Sequence, residues 1–433
     1  MIARLMFSVA ALAFALPAAA QTVAITNAKL VTGDGSAPKD GGTVVIQNGK
    51  VVAAGVGVAV PAGVKTVDAG GKWVTPGLVA GFTRMGIVEV DAVGDTNDTS
   101  ASGSPFNAAI DIAPAVNPRV SAMQLNRAEG ITRAVVAPDT AGSIFAGQGA
   151  VIDLGVDTDP VTRAKAFQFM EYGEAGARSA GGSRPAALAM LRNTLFEVKA
   201  YAASPAAYLD RGKDALLTRA DAEALVPVLN GRQKLLVHVE RAADMRTLIA
   251  IKREFPTLDL VFVGASEGWT LASEIAAAGI PVMASALVDL PESFDQLAST
   301  QSNIGRMAAA GVKIGIGMIN DNEARQAHLA KQYAGNLVAL TKVPGASGLS
   351  WGQAFAAISS GPAAVLGLTD IGSLAPGKRG DVVIWDGDPL EIGSAAQAVY
   401  IDGVEQPLQN RQTRLFKRYA QPQEGALPKA YER

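Results

Sequence analysis

The sequence predicts an α/β protein built on a (β/α)8 barrel, with a β-rich block at each end of the chain. Three observations carry that expectation. Strand-like and helix-like segments alternate through the middle of the chain, which is the pattern of parallel βα units. Short β-branched runs with Asn-Gly or Asp-Gly turns occupy the two ends, and a few strands cannot bury both faces of a sheet alone, so the two ends are expected to pair. The chain has 433 residues, 49% of them hydrophobic, which is enough for a large core without covalent staples.

The first residues, Met1-Ile2-Ala3-Arg4, lead into an apolar run from Leu5 to Leu16 and then Pro17-Ala18-Ala19-Ala20. One basic residue, a short apolar stretch and an Ala-x-Ala ending describe a secretory signal peptide over 1–20. The run falls short of the roughly 20 apolar residues that span a bilayer, so the chain is expected to be exported, periplasmic or secreted, with no membrane insertion after cleavage. Cysteine is absent, which excludes disulfides and thiol nucleophiles. The 38 basic and 40 acidic residues nearly cancel and argue against nucleic acid as a main partner.

Residues 22–31 alternate and stop at Gly33-Asp34-Gly35. Residues 42–55 read as a hairpin around Asn48-Gly49, and a strand at 65–69 leads through Gly70-Gly71 to Trp73. The barrel then opens at 75–86. Residues 90–115, rich in Gly, Ser, Asp and Asn, come after the first barrel strand, on the side where barrel loops build active sites, and are expected to form a lid. Further strands are expected at 130–137, 164–170, 235–240, 260–265, 280–284 and 311–318. Helices are expected at 185–203, 219–229, 242–254, 269–278, 322–338 and 351–366. About seven barrel strands are traceable, and the fourth of the set has no sequence signature. Residues 371–390 and 398–404 form the second β block, again with an Asp402-Gly403 turn.

Several of these segments resemble the amidohydrolase superfamily. Pro76-Gly77-Leu78-Val79-Ala80-Gly81-Phe82-Thr83-Arg84 is similar to that family's first barrel strand, Pro-Gly-Leu-Ile-Asp-x-His-x-His. The run from Gly372 through Pro376-Gly377-Lys378 to Asp381 resembles its C-terminal signature, and Gly130-Ile131-Thr132-Arg133 its second strand. Ala146-Gly147-Gln148-Gly149-Ala150 and Gly181-Gly182-Ser183-Arg184 look like loops of an imidazolonepropionase-like subgroup. The resemblance runs from about Val23 to Val404 and implies a composite β-sandwich from 21–75 and 368–425 beside a barrel at 76–367.

In that family histidines and carboxylates converge on a metal that activates water for hydrolysis. Here the corresponding positions hold Phe82, Arg84, Gly264 and Ile319, and the chain has only two histidines, so a histidine-rich dinuclear centre cannot be assembled. His238 stands at the end of an apolar strand, where a barrel pocket lies. Arg84, Glu174, His238, Glu267 and Asp321 are the pocket candidates, with His238 and Glu174 as remnant metal ligands. His328 is expected on a helix surface. One reading is a degenerate homologue without a cofactor, binding a small molecule or assembling as a homo-oligomer or with an active paralogue. The other is a hydrolase of C–N bonds in cyclic amides or small peptides with one divalent metal, zinc. Gly264-Ala265-Ser266-Glu267-Gly268 has the Gly-x-Ser-x-Gly spacing but is not read as a nucleophile elbow between a clear strand and helix, and no phosphate-binding loop or dinucleotide fingerprint is present.

Overall fold

The computed structural model describes residues 22–210, 215–285, 288–318 and 325–420. The expected signal peptide, Ile319 and Asp321 lie outside them.

The N-terminal block contributes β1 (Val23–Leu30), β2 (Lys39–Gln47), β3 (Lys50–Val56), β4 (Lys65–Asp68) and β5 (Trp73–Pro76). β2 and β3 turn through Asn48 and Gly49 with φ of 51° and 75°, the paired positive values that a tight hairpin needs and that Asn-Gly supplies. The first half of β1 pairs with β4 and its second half with β5, which splits the sheet into two leaves. The C-terminal strands complete it: antiparallel pairing of β5 with Val382–Trp385 joins the two ends of the chain, as expected. Ile25, Leu30, Val44, Ile46, Val74, Val382 and Tyr400 fill the core between the leaves.

The chain passes from this sheet into the barrel at Gly77, where a Cβ would lie 2.1 Å from Thr132 Oγ1. The barrel strands are β6 (Leu78–Thr83), β7 (Ile131–Val136), β8 (Phe145–Asp153), β9 (Val161–Glu171), β10 (Lys234–Val239), β11 (Leu260–Gly264), β12 (Val282–Ser285) and β13 (Ile314–Met318), each beside its sequence neighbour. Outside them run α1 (Ser121–Ala128), α2 (Gly173–Ser179), α3 (Arg184–Ala203), α4 (Arg219–Leu229), α5 (Ala242–Glu254), α6 (Ala272–Ala277), α7 (Asn303–Ala309), α8 (Ala330–Leu340), α9 (Trp351–Ala356) and α10 (Ser360–Leu366). β14 (Val382–Trp385), β15 (Ala396–Ile401), β16 (Val404–Gln406) and α11 (Arg411–Tyr419) end the described chain.

The strand missing from the expected set is the third, β8, and not the fourth: it precedes β9 where none was expected, no further strand lies between β9 and β10 among the described residues, and β8 differs from the others in direction. It pairs antiparallel with both β7 and β9, so two hairpins replace the usual helical crossovers there. The 146–150 run, expected as a loop, lies inside it. Its glycines explain both facts: a Cβ on Gly149 would lie 2.0 Å from the Phe167 ring, and one on Gly147 would lie 2.7 Å from the Ile110 carbonyl. Close approach replaces the β-branched pattern that announces a strand.

Part of the segment expected as a lid, 107–112, runs elsewhere, while Thr99 stays beside the end of β7, its carbonyl accepting Asp139 N–H at 2.7 Å. Residues 107–112 lie along β8 and β9: Gln148 N–H donates to Ile110 O at 2.7 Å, and Gln168 Nε2 donates to Ala108 O at 3.1 Å. Gln168 alternates with Phe167 and Phe169, which face the barrel interior, so this segment straps the outside. Asp221 of α4 holds it by accepting the Asn107 and Ala109 N–H groups at 2.9 and 2.8 Å. A strand entered and left by hairpins has no crossover helix to cover it, and the strap takes that place.

The helix expected over 351–366 is interrupted between α9 and α10, where the chain closes the barrel seam. Ala357 O accepts Ile316 N–H of β13 at 2.7 Å, and Ile358 O accepts Val79 N–H of β6 at 3.0 Å. Gly81 and Gly317 meet across the same seam, a Cβ on Gly317 lying 2.8 Å from the Gly81 carbonyl carbon. Only bare backbone fits there.

Barrel and sheet are locked by Arg133 of β7, which is 1% exposed. It donates to both carboxylate oxygens of Asp381 at 2.7 and 2.9 Å, reaches Asp402 at 2.9 Å and stands 3.5 Å from Asp153. Burial pushes the Asp153 carboxyl up to about 6, against the pull of Arg133. Asp381, the last residue of the C-terminal signature, is therefore a structural anchor.

Candidate functional site

The inner faces of the strands carry Val79, Phe167, Phe169, Leu236, Val261, Val263 and Met283 in one apolar cluster, with Val365, Leu366 and Leu368 packed onto it. Toward the C-terminal strand ends the Phe82 and Phe169 rings meet at 5.1 Å. The Arg84 guanidinium lies 4.9 Å from the first ring and 5.6 Å from the second, donates to Ala137 O at 2.8 Å and stands 3.9 Å from Asp139. An aromatic pair capped by a cation thus occupies the end of the first barrel strand, and the cation gains from both ring faces. Arg84 is not the partner of Glu174.

His238 projects from β10 on the same face as Leu236, with its side chain 19% exposed. Its Nδ1 lies 2.6 Å from Glu171 Oε2, and its Nε2 lies 3.0 Å from Glu240 Oε1. Glu171 is its ladder neighbour on β9, and Glu240 lies two residues ahead, where period-two geometry returns the side chain to the same side. The second Glu240 oxygen accepts Ser266 N–H at 2.7 Å. Burial alone would depress the imidazole, but the Glu171 and Glu240 carboxylates outweigh it and hold His238 well above its ordinary value. With a proton on each nitrogen both carboxylates are accepted partners, and an imidazolium offers no lone pair to a metal.

Gly264 explains how Glu240 fits. It has φ of 86°, and a Cβ there would lie 2.2 Å from Glu240 Oε1. The absence of a side chain on the sixth barrel strand and the presence of this carboxylate are one packing solution.

The remaining candidates have other partners. Glu267 accepts Ala242 N–H and Ala298 N–H, each at 2.9 Å, and so ties the start of α5 to a neighbouring loop. Glu174 opens α2, donates its backbone N–H to Asp295 at 2.8 Å and stands 3.7 Å from Arg184. Arg184 also bonds Asp244 at 3.0 Å and pairs closely with Asp295, so the first turns of α2 and α5 and the single turn at 294–296 converge on one guanidinium. Burial raises the Asp244 carboxyl despite Arg241 and Arg184. Burial pushes the Tyr172 hydroxyl up to about 12, and Asp244 adds to that. Glu171, Glu240, Arg184, Asp244 and Asp295 are the polar residues that the sequence reading missed; only the Glu240 spacing from His238 could have suggested one. His328, expected on a helix surface, sits half-buried in a single turn before α8, with its N–H and Nδ1 3.0 and 3.1 Å from Asn126 Oδ1.

Among the described residues no group of three or more His, Asp or Glu side chains is arranged around a common point as ligands of an ion, and the nearest acids to His238, Glu171 and Glu240, are hydrogen-bonded to it instead. A surface cleft of about 510 Å3 between α5 and α6, lined by Ile249, Lys252, Pro256 and Ala277, lies on the outer face and touches none of these groups.

A profile of the Amidohydrolase family matches residues 265–405, from just after the sixth barrel strand into the last strand of the composite sheet. The amidohydrolase from Thermotoga maritima MSB8 superposes with a TM-score of 0.78 at 26% identity, covering 90% of this chain and all of that one. The chain thus matches the Amidohydrolase family over 265–405 and shares the fold of an amidohydrolase over nearly its whole length. Amidohydrolase tasK of Hapsidospora irregularis is 24% identical in a match 381 residues long that covers 78% of this chain but 37% of that protein's length. This chain therefore spans little more than a third of that relative. An adenosine deaminase from Xanthomonas campestris with bound zinc shares the fold at 17% identity, with a TM-score of 0.50 and coverage of 89% and 92%. Metal-bound members thus exist on the scaffold that here carries Phe82, Arg84 and Gly264.

Proposed function

We propose that this chain is an exported amidohydrolase-superfamily protein that has exchanged metal-dependent hydrolysis for binding a small molecule, or for supporting a catalytically complete paralogue as a subunit. The observation that carries the reading is His238, whose two ring nitrogens are both taken by carboxylates, one of them seated over Gly264. Such an imidazolium can hold a proton and orient a ligand's polar groups; it cannot coordinate an ion while protonated. The imidazolonepropionase-like subgroup is proposed from the sequence motifs alone.

A second reading has its own support. Glu171 and Glu240 each stand within 3.0 Å of the His238 ring, and one imidazole with two carboxylates are donor types that a single zinc accepts once the imidazole loses its proton and the side chains turn toward a common point. On that reading the chain hydrolyses a C–N bond in a cyclic amide or small peptide.

Metal content of the purified chain separates them, together with hydrolysis of cyclic amides and dipeptides with and without chelator. Stoichiometric zinc that disappears in His238→Ala, with chelator-sensitive hydrolysis, overturns the first reading. Metal-free protein without hydrolysis, co-purifying with a paralogue that has the full histidine set, is the result expected.

A further inference from the structure

The last described helix stands apart from the rest of the molecule. α11 comes after the final strand of the composite sheet, leans on α1 and is capped reciprocally by Asn410 and Thr413. None of its residues is buried, and it contains Arg411, Arg414, Lys417 and Arg418 with no acidic residue between Asn410 and Ala420. At about 100° per residue, the four cations fall along one side of the helix and Leu415, Tyr419 and Phe416 along the other. Leu415 is half-buried, so the arc opposite it presents Lys417 near its centre, with Phe416 at one edge and Arg414 at the other. Phe416 is 75% exposed and Tyr419 51%.

Nothing in the barrel requires this arrangement. Packing would have buried the aromatic rings, and solubility alone would have mixed the charges. We infer that α11 is a docking element for an anionic phospholipid surface, with Phe416 and Tyr419 entering the headgroup layer and Arg414 and Lys417 pairing with lipid phosphates. A second copy of the chain fits poorly, because symmetric pairing of α11 sets cations against cations. A polyanionic macromolecule would match the charges but leave the exposed aromatic flank without a role. Among the described residues no helix is long and apolar enough to cross a membrane, so the attachment is peripheral.

The test uses the full chain in co-sedimentation with phosphatidylcholine vesicles that contain or lack phosphatidylglycerol. Binding to the anionic vesicles alone, weakening with salt, is expected. Arg414→Glu with Lys417→Glu should reduce it by at least about ten-fold, since each cation near such a surface contributes appreciably. Phe416→Ser with Tyr419→Ser should also reduce it while leaving the charges intact. Both pairs lie on an exposed helix, and circular dichroism verifies that the variants stay folded. The N-terminal apolar segment is common to all of them, so any contribution from it cancels. Equal binding to both vesicle types, or binding indifferent to either pair, overturns the inference. So does retention on heparin that depends on α11 when no vesicle binds, which would assign the helix to a polyanion.

Discussion

Gly264→Ala tests the packing solution around His238 directly. The backbone there has φ of 86°, and an L-residue in that conformation costs about 1–2 kcal/mol. The new Cβ would stand 2.2 Å from Glu240 Oε1 and 2.7 Å from its carboxyl carbon, so the carboxylate has to leave. It would abandon its contact with His238 at 3.0 Å and its bond from Ser266 N–H at 2.7 Å, and charge-assisted hydrogen bonds of this kind contribute about 1.5–3 kcal/mol each. If one of the two re-forms after the shift, the total loss is about 3–5 kcal/mol, a large share of the stability of an ordinary domain. Urea denaturation of wild type, Gly264→Ala, Glu240→Ala and the double variant measures it. The double variant should be less destabilised than the sum of the singles, because the overlap vanishes when the carboxylate is gone. A single-variant loss below about 0.5 kcal/mol, or strict additivity, refutes the argument.

The same geometry predicts other outcomes. Arg133→Met leaves Asp381, Asp402 and Asp153 facing one another and should cost about 3–5 kcal/mol at neutral pH. Burial already raises the Asp153 carboxyl, and losing Arg133 would raise it further, so the variant should be most stable in acid and lose stability as pH rises; a pH-independent deficit in thermal denaturation would contradict this. Glu240→Gln should lower stability by about 1–3 kcal/mol. Because His238 is raised in the folded state, its contribution is complete below pH about 6.5 and fades as pH rises through the folded value, so the gap between wild type and variant should narrow in alkali. Gly149→Ala overlaps the Phe167 ring and should cost about 1–3 kcal/mol, partly relieved by Phe167→Leu in a double-variant denaturation series.

The parts of the fold legible in the sequence are those specified locally. Asn48-Gly49 dictated a hairpin, and the apolar runs of β7, β10 and β11 stood out because parallel strands are buried on both faces. β8 stayed hidden because its glycines answer to Phe167 and Ile110, residues distant in sequence. The 90–115 segment looked like a lid because chain order places it after a strand without fixing which face of the barrel it crosses. His238 could be assigned to a strand end, but its pairing with Glu171 and Glu240 depends on the space above Gly264, which exists only once β10 and β11 are adjacent. Likewise the C-terminal signature read as a family mark, and only the folded chain gives Asp381 its task beside Arg133.

Whether His238 is an imidazolium held between two carboxylates can be measured directly. The chain has only two histidines, so their ring proton resonances can be tracked individually by NMR, with His328→Gln fixing the assignment. His238 is expected to stay protonated well above its ordinary value, and to be unmoved by added zinc. His328, depressed by burial, is expected to titrate below its own. A His238 resonance that titrates at or below about 6.5 and shifts with stoichiometric zinc would contradict the account.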